Sequence, residues 1–197
     1  MLRSGSSRGY SLLELVFVAG LGVTLSVAAV PQCLSTIDDS RAAGATRYIS
    51  ARFQRARMEA VVRSTEVALQ FTQSPSGYAY AVYVDGNRNG VLTRDIQRSI
   101  DRRIGAPERL PDQFSGVDFG AIPGLPAVDS GSTAPGNDPI RLGAGSFASF
   151  SAMGTSSSGT VYIRSRRDAQ YAVRIFGETG KTRMLKFDRG SRQWRPL

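Results

Sequence analysis

Gly9-Tyr10-Ser11-Leu12-Leu13-Glu14-Leu15 opens an apolar run that continues through Val16-Phe17-Val18 and Leu21-Gly22-Val23 to Val27-Ala28-Ala29-Val30. From Tyr10 to Val30 there are 21 residues and a single charge, Glu14. As an α-helix rising about 1.5 Å per residue, the run is roughly 30 Å long, enough to span a bilayer core. Arg3 and Arg8 precede it with no acid among them, so the positive-inside rule keeps this end cytoplasmic. A secretory signal would need a small-x-small cleavage site after the run, and Val27-Ala28-Ala29 supplies one only loosely. A plain single-pass anchor accounts for span and orientation but not for Glu14. A carboxylate inside an apolar span costs on the order of 2–4 kcal/mol, so it calls for a partner or a task.

The spacing of these residues resembles the prepilin motif of type IV pilins and type II secretion pseudopilins. The resemblance implies that a prepilin peptidase cuts between Gly9 and Tyr10 and that Tyr10, the new N-terminal residue, is methylated. The family usually has Phe there; Tyr10 departs from it while keeping an aromatic ring. Glu14 becomes the fifth residue of the mature chain. Pro31 becomes the twenty-second, where the family often carries a helix-kinking proline. The Glu14 carboxylate can then meet the Tyr10 ammonium of a neighbouring subunit, and pairing offsets part of the desolvation cost. The competing reading has Glu14 snorkelling to the membrane interface.

Beyond Pro31 the pattern is still helical. Leu34, Ile37, Ala42, Ala45, Ile49, Phe53, Ala56 and Ala60 recur mostly three or four residues apart, with Arg41, Arg47, Arg52, Arg55, Arg57 and Arg63 between them. An amphipathic helix is expected to about Arg63, ended by Ser64-Thr65. The period then becomes two. Val67–Phe71 and Tyr78–Tyr83 read as strands joined by the turn Ser74-Pro75-Ser76-Gly77. Residues 96–119 are expected to hold two short strands, with Val117–Phe119 the clearer. Residues 120–138 are rich in Gly, Pro, Ser and Ala and read as an exposed loop. Four more strands are expected at Ser149–Ala152, Thr160–Arg164, Tyr171–Phe176 and Thr182–Phe187.

Three looser motifs resemble the GspH/FimT branch of minor pseudopilins: Ala56-Arg57-Met58-Glu59-Ala60-Val61-Val62-Arg63 leading into the first strand, Phe150-Ser151-Ala152-Met153-Gly154, and Gly180-Lys181-Thr182-Arg183. The Asp85–Gly90 loop after the second strand is a fourth. The expected fold is α+β and pilin-like: a long N-terminal spine helix, half transmembrane, packed on an antiparallel β-sheet head. The expected division is a leader over 1–9, a transmembrane half-helix over 10–33, a soluble half-helix over 34–64 and a head over 65–197.

Composition narrows the chemistry. The chain of 197 residues has a net charge of +9 and no histidine. This excludes Ser-His-Asp and Cys-His catalysis and any His-ligated metal. Cys33 is the only cysteine, so there is no intrachain disulfide and no Cys-cluster metal site. Cys33 reads as a small helix-packing residue. Asp85, Asn87, Asn89 and Gly90 fit the first positions of an EF-hand loop, but Ile96 stands where the bidentate Glu belongs. The competing reading is a turn held by side-chain-to-backbone bonds. Gly177-Glu178-Thr179-Gly180-Lys181-Thr182 lacks the first glycine of a phosphate-binding loop, because Ile175 stands there, and reads as a hairpin.

Residues 161–197 hold ten basic and three acidic residues, with Tyr171 and Trp194 interleaved. Arginines grip phosphates and stack on bases, so this is a candidate DNA footprint. The resemblance to FimT-type members places contact at Lys181 and Arg183; the rival is a solvated face in a chain with only two lysines, Lys181 and Lys186, against many arginines. The expected protein is a structural assembly subunit without cofactor, not an enzyme. Its expected partners are the prepilin peptidase, other pilin or pseudopilin subunits and the inner membrane. DNA uptake through the basic C-terminal region is the alternative function. The expected location is the bacterial inner membrane, head domain periplasmic, then the filament.

Overall fold

The computed structural model describes residues 11–130, 132–143 and 145–197. The chain divides into two compact units, one ending at Ile37 and the other formed by Asp38–Leu197. One helix, α1 (Leu12–Arg63), makes up the described part of the first unit and opens the second. In the first unit its large apolar side chains are exposed, from Leu12 and Leu13 through Phe17, Leu25 and Val30 to Ile37. The helix continues across Pro31.

In the second unit α1 buries one face: Ala42, Ala45, Ile49, Phe53, Ala56 and Ala60. The buried stripe starts later than its sequence suggests, since Leu34 and Ile37 are both exposed. Thr46 also lies on the buried face, its hydroxyl donating to the Ala42 carbonyl at 2.7 Å, so no polar group is stranded. The helix stops where expected. Ser64 takes a left-handed φ of 52°, its N–H donates to the Val61 carbonyl, and the Thr65 N–H donates to the Ala60 carbonyl. This is a Schellman cap with serine where glycine is usual.

Among the described residues ten strands follow, in two antiparallel sheets rather than one. The four-stranded sheet orders β3 (Arg102–Glu108), β2 (Gly77–Val84), β1 (Val67–Ser74) and β6 (Phe147–Phe150). The other orders β10 (Gln193–Pro196), β9 (Lys181–Asp188), β8 (Gln170–Phe176), β7 (Gly159–Ser165) and β4 (Val117–Phe119). β5 (Ile140–Leu142) pairs with β7 further along the edge that β4 occupies. β5, β10 and two short helices, α2 (Thr93–Gln97) and α3 (Leu110–Gln113), were not anticipated. Each is five residues or shorter, too brief for a period to show.

The main core lies between α1 and both sheets. Phe53 is its centre, with ring centroids 6.3 Å from Phe71 and 6.1 Å from Phe150, and Val161, Ile163, Val173 and Ile175 complete it. A second core covers the opposite face of the larger sheet, where Leu125 packs with Tyr162, Ala172, Leu185 and Phe187, bordered by Trp194. The segment from residue 120 is therefore not simply an exposed loop. Gln170 accepts from the Ile122 N–H at 3.0 Å and donates to the Gly120 carbonyl at 3.1 Å, and the Trp194 indole donates to the Pro126 carbonyl at 3.1 Å. These bonds let an irregular backbone lie over a sheet without orphaned polar groups.

Candidate functional site

Gly9 and Tyr10 lie outside the described residues. Glu14 sits in the first turn of α1 and is exposed, among Leu12, Leu13, Val16 and Phe17. The helix is long and apolar enough to cross a membrane, and none of its most apolar stretch is buried. An apolar surface of this size left open to water is unfavourable, so it marks a segment made for lipid or for other chains.

The three loose motifs meet at one place. Arg57 of α1 donates through Nε to the Gly154 carbonyl at 3.0 Å. Gln54, one turn earlier, donates to the Gly180 carbonyl at 3.4 Å and to Thr182 Oγ1 at 3.2 Å, and Ser50 shares a 2.7 Å hydrogen bond with the same hydroxyl. Gly154 and Gly180 both have positive φ, 82° and 61°. A Cβ on Gly180 would collide with the Gly154 carbonyl and lie 2.8 Å from Arg57 Nε. Both glycines are needed because backbone, backbone and guanidinium approach closely there. Arg57 and the two glycines thus tie α1 to the β8–β9 hairpin. Gly177–Gly180 is that hairpin's turn, closed by the Gly180 N–H on the Phe176 carbonyl at 2.8 Å, and Lys181 and Thr182 open β9.

Lys181 and Arg183 lie on β9 two residues apart, so they share one face of the sheet. Both are exposed, and neither forms an ion pair among the described residues. Many of the other basic residues of this region are engaged. Lys186 binds Asp39 at 2.8 Å, Arg174 binds Asp129 at 3.0 Å and Arg195 binds Asp188 at 2.7 Å. Arg164 and Arg189 converge on Asp168, and the Arg164 hydrogen bond is the largest cause of that carboxyl lying below its usual range. The interleaved aromatics are not stacking platforms. Tyr171 is buried with its hydroxyl donating to Asp39 at 2.9 Å, and burial first, then Asp39, pushes it above the usual phenol range. Trp194 packs on Phe187 at 5.2 Å. The large apolar ring left exposed on the face of Lys181 is Phe176, its partner across the strands.

The Asp85 loop is wired to itself. Asp85 accepts the N–H groups of Asn87, Arg88 and Gly90 at 3.0, 2.8 and 3.0 Å. Asn89 and Asn87 turn their side-chain amides to Asp95 at 2.9 and 3.5 Å, and the Asn89 bond is the main reason its carboxyl lies below its usual range. Buried Asp101 accepts from Gly86 and Leu92. Among the described residues no group of three or more His, Cys, Asp or Glu is placed to hold a metal.

A second polar cluster joins α1 to the smaller sheet, unforeseen because its members are scattered along the chain. Tyr48 and Tyr80 both donate to Glu108 Oε2 at 2.6 Å, and Arg52 pairs with the same carboxylate. Burial pushes the Tyr80 hydroxyl well above the usual phenol range.

Residues 45–179 match the family model described as type II transport protein GspH. That span is more than half of the chain and contains Arg57, Gly154 and the strands from β1 to β8. No curated protein and no solved structure matches.

Proposed function

The chain belongs to the family of the type II transport protein GspH, and from that membership we propose that it is a minor pseudopilin processed and assembled through its first residues. As a family member it is a type II secretion pseudopilin with an α+β, pilin-like fold. The finer reading is that a prepilin peptidase cuts between Gly9 and Tyr10. The mature chain is then held in the inner membrane with its head periplasmic, and joins a secretion pseudopilus or type IV pilus beside other subunits. The observation that carries it is the exposed apolar face of α1 up to Ile37, interrupted by the single acid Glu14. Lipid covers such a face in the membrane, and neighbouring spine helices cover it in a filament. Its role is structural, and the chemistry at its N-terminus belongs to the peptidase. N-terminal mass spectrometry of membrane-extracted protein tests this: Tyr10 first, with or without a methyl group, is expected, and a mature chain starting near Ala29 overturns it.

A second reading, DNA capture by a FimT-like minor pilin, is favoured by one observation. Lys181 and Arg183 stand exposed, unpaired by any described acid and on one face, where phosphates could approach them.

A further inference from the structure

Beside β5, β7 and β8 lies a cavity of about 610 Å³, lined by Arg141, Arg174, Thr160, Ser132, Ser158 and the carboxylate Asp138 among others. Register explains why these side chains converge. Arg141 of β5 is paired with Thr160 of β7, Thr160 with Arg174 of β8, and Arg174 with Arg183 of β9. The four residues therefore form one row across the sheet, on one face. Thr160 stands between two guanidiniums rooted on its flanking strands, whose backbones are roughly 10 Å apart at about 4.8 Å per strand.

Two features of this row call for an anion. Thr160 is 1 % exposed, and its Oγ1 has no well-formed hydrogen bond among the described residues; its polar neighbour is the Tyr162 hydroxyl on the same face, which is likewise buried and unsatisfied. A buried hydroxyl is rarely left so. Arg174 and Arg183 face each other directly, a like-charge pairing that is unfavourable across a sheet. Two acids border the site, and an incoming anion would share the guanidiniums with them. Asp129 takes Arg174 Nε from one side at 3.0 Å, and Asp138 is 3.9 Å from Arg141.

We propose that this cavity is a binding site for a phosphate-type tetrahedral oxyanion, held between Arg141 and Arg174 with the Thr160 hydroxyl donating to it. A tetrahedral anion presents oxygens in several directions, so it can meet donors from three adjacent strands, whereas a planar carboxylate presents two oxygens in one plane. Guanidinium forks are suited to that geometry. The site is separate from Gly9, Tyr10 and Glu14 and does not depend on how the N-terminus is processed. Nor does it require that Lys181 and Arg183 hold DNA.

The test is calorimetric titration of the full chain in an uncharged detergent. Inorganic phosphate and glycerol 3-phosphate are the probes, with sodium chloride at equal ionic strength as the control. Saturable binding is expected for phosphate. A tighter constant for glycerol 3-phosphate identifies the anion as the end of a larger molecule, and a weaker one identifies the free ion. Thr160→Val should weaken phosphate roughly tenfold, the scale of one hydrogen bond to a charged group. Thr160→Ser should restore it. Thr160→Val should also melt within about a degree of the parent without phosphate, because the hydroxyl it removes makes no well-formed hydrogen bond. Arg141→Gln should weaken phosphate at least as much, whereas Arg103→Gln, an equal charge change on exposed β3, should not. No saturable binding beyond chloride overturns the proposal. So does full affinity in Thr160→Val, or an equal loss in Arg103→Gln.

Discussion

Ser64 holds a left-handed backbone at φ 52° to close α1. A side chain there costs about 1–2 kcal/mol, and glycine recovers part of it at the expense of unfolded-state entropy. Ser64→Gly is expected to stabilise the chain by about 0.5–1 kcal/mol, a rise of about 1–4 °C in the head's thermal midpoint for a domain of this size. A lower midpoint would show that the serine side chain matters to the cap. Glu14 is the other residue whose surroundings define its task. Glu14→Gln eases insertion but removes the charge that a neighbour's Tyr10 ammonium would meet. Normal membrane insertion and cleavage are expected, with less of the variant co-purifying with sheared filaments. Incorporation at the parental level would leave the carboxylate without an assembly role.

At the scale of elements, the segment from Gly120 to Val128 behaves as a covering layer although it has no regular structure. Leu125 is 5 % exposed and shares its cluster with Trp194, the chain's single tryptophan. Leu125→Ala should cost about 2–3 kcal/mol, as large-to-small changes in a core do. It should also shift Trp194 fluorescence to longer wavelength as water reaches the indole. Unchanged emission and midpoint would return the segment to the status of a loose loop. A different device joins α1 to the β8–β9 hairpin, where Arg57, Gly154 and Gly180 meet. Three of the motifs that resemble the GspH/FimT branch, those around Arg57, Gly154 and Gly180, are here explained by close backbone approach.

For the whole molecule, the net charge of +9 predicts some attraction to any polyanion, so the useful question is whether DNA binding is localised. Mobility shifts with the full chain in uncharged detergent can decide it by comparing two double variants. Lys181→Gln with Arg183→Gln removes two charges from β9. Arg41→Gln with Arg47→Gln removes two exposed charges from α1. A site at Lys181 and Arg183 predicts the larger loss for the first pair, with affinity falling steeply with salt and depending little on sequence. Equal losses would mean a diffuse basic surface, and no shift at about 50 mM salt would remove the DNA reading.

The spine helix, its end at Ser64 and the β1–β2 hairpin were legible in the sequence, because each rests on local rules: apolar run length, a period of three to four, a period of two and a turn of Ser, Pro and Gly. The apolar run of the first unit depends on no long-range contact, so composition alone determined it. Tertiary structure alone decided the split into two sheets, the second core beneath Leu125, and which arginines are paired. Those features depend on residues far apart in the chain. Arg174 meets Asp129 across 45 positions, and Lys186 meets Asp39 across 147. The row Arg141–Thr160–Arg174–Arg183 is the clearest case. Nothing in its spacing marks it, since a sheet brings side chains together by register, and register is set by which faces are buried.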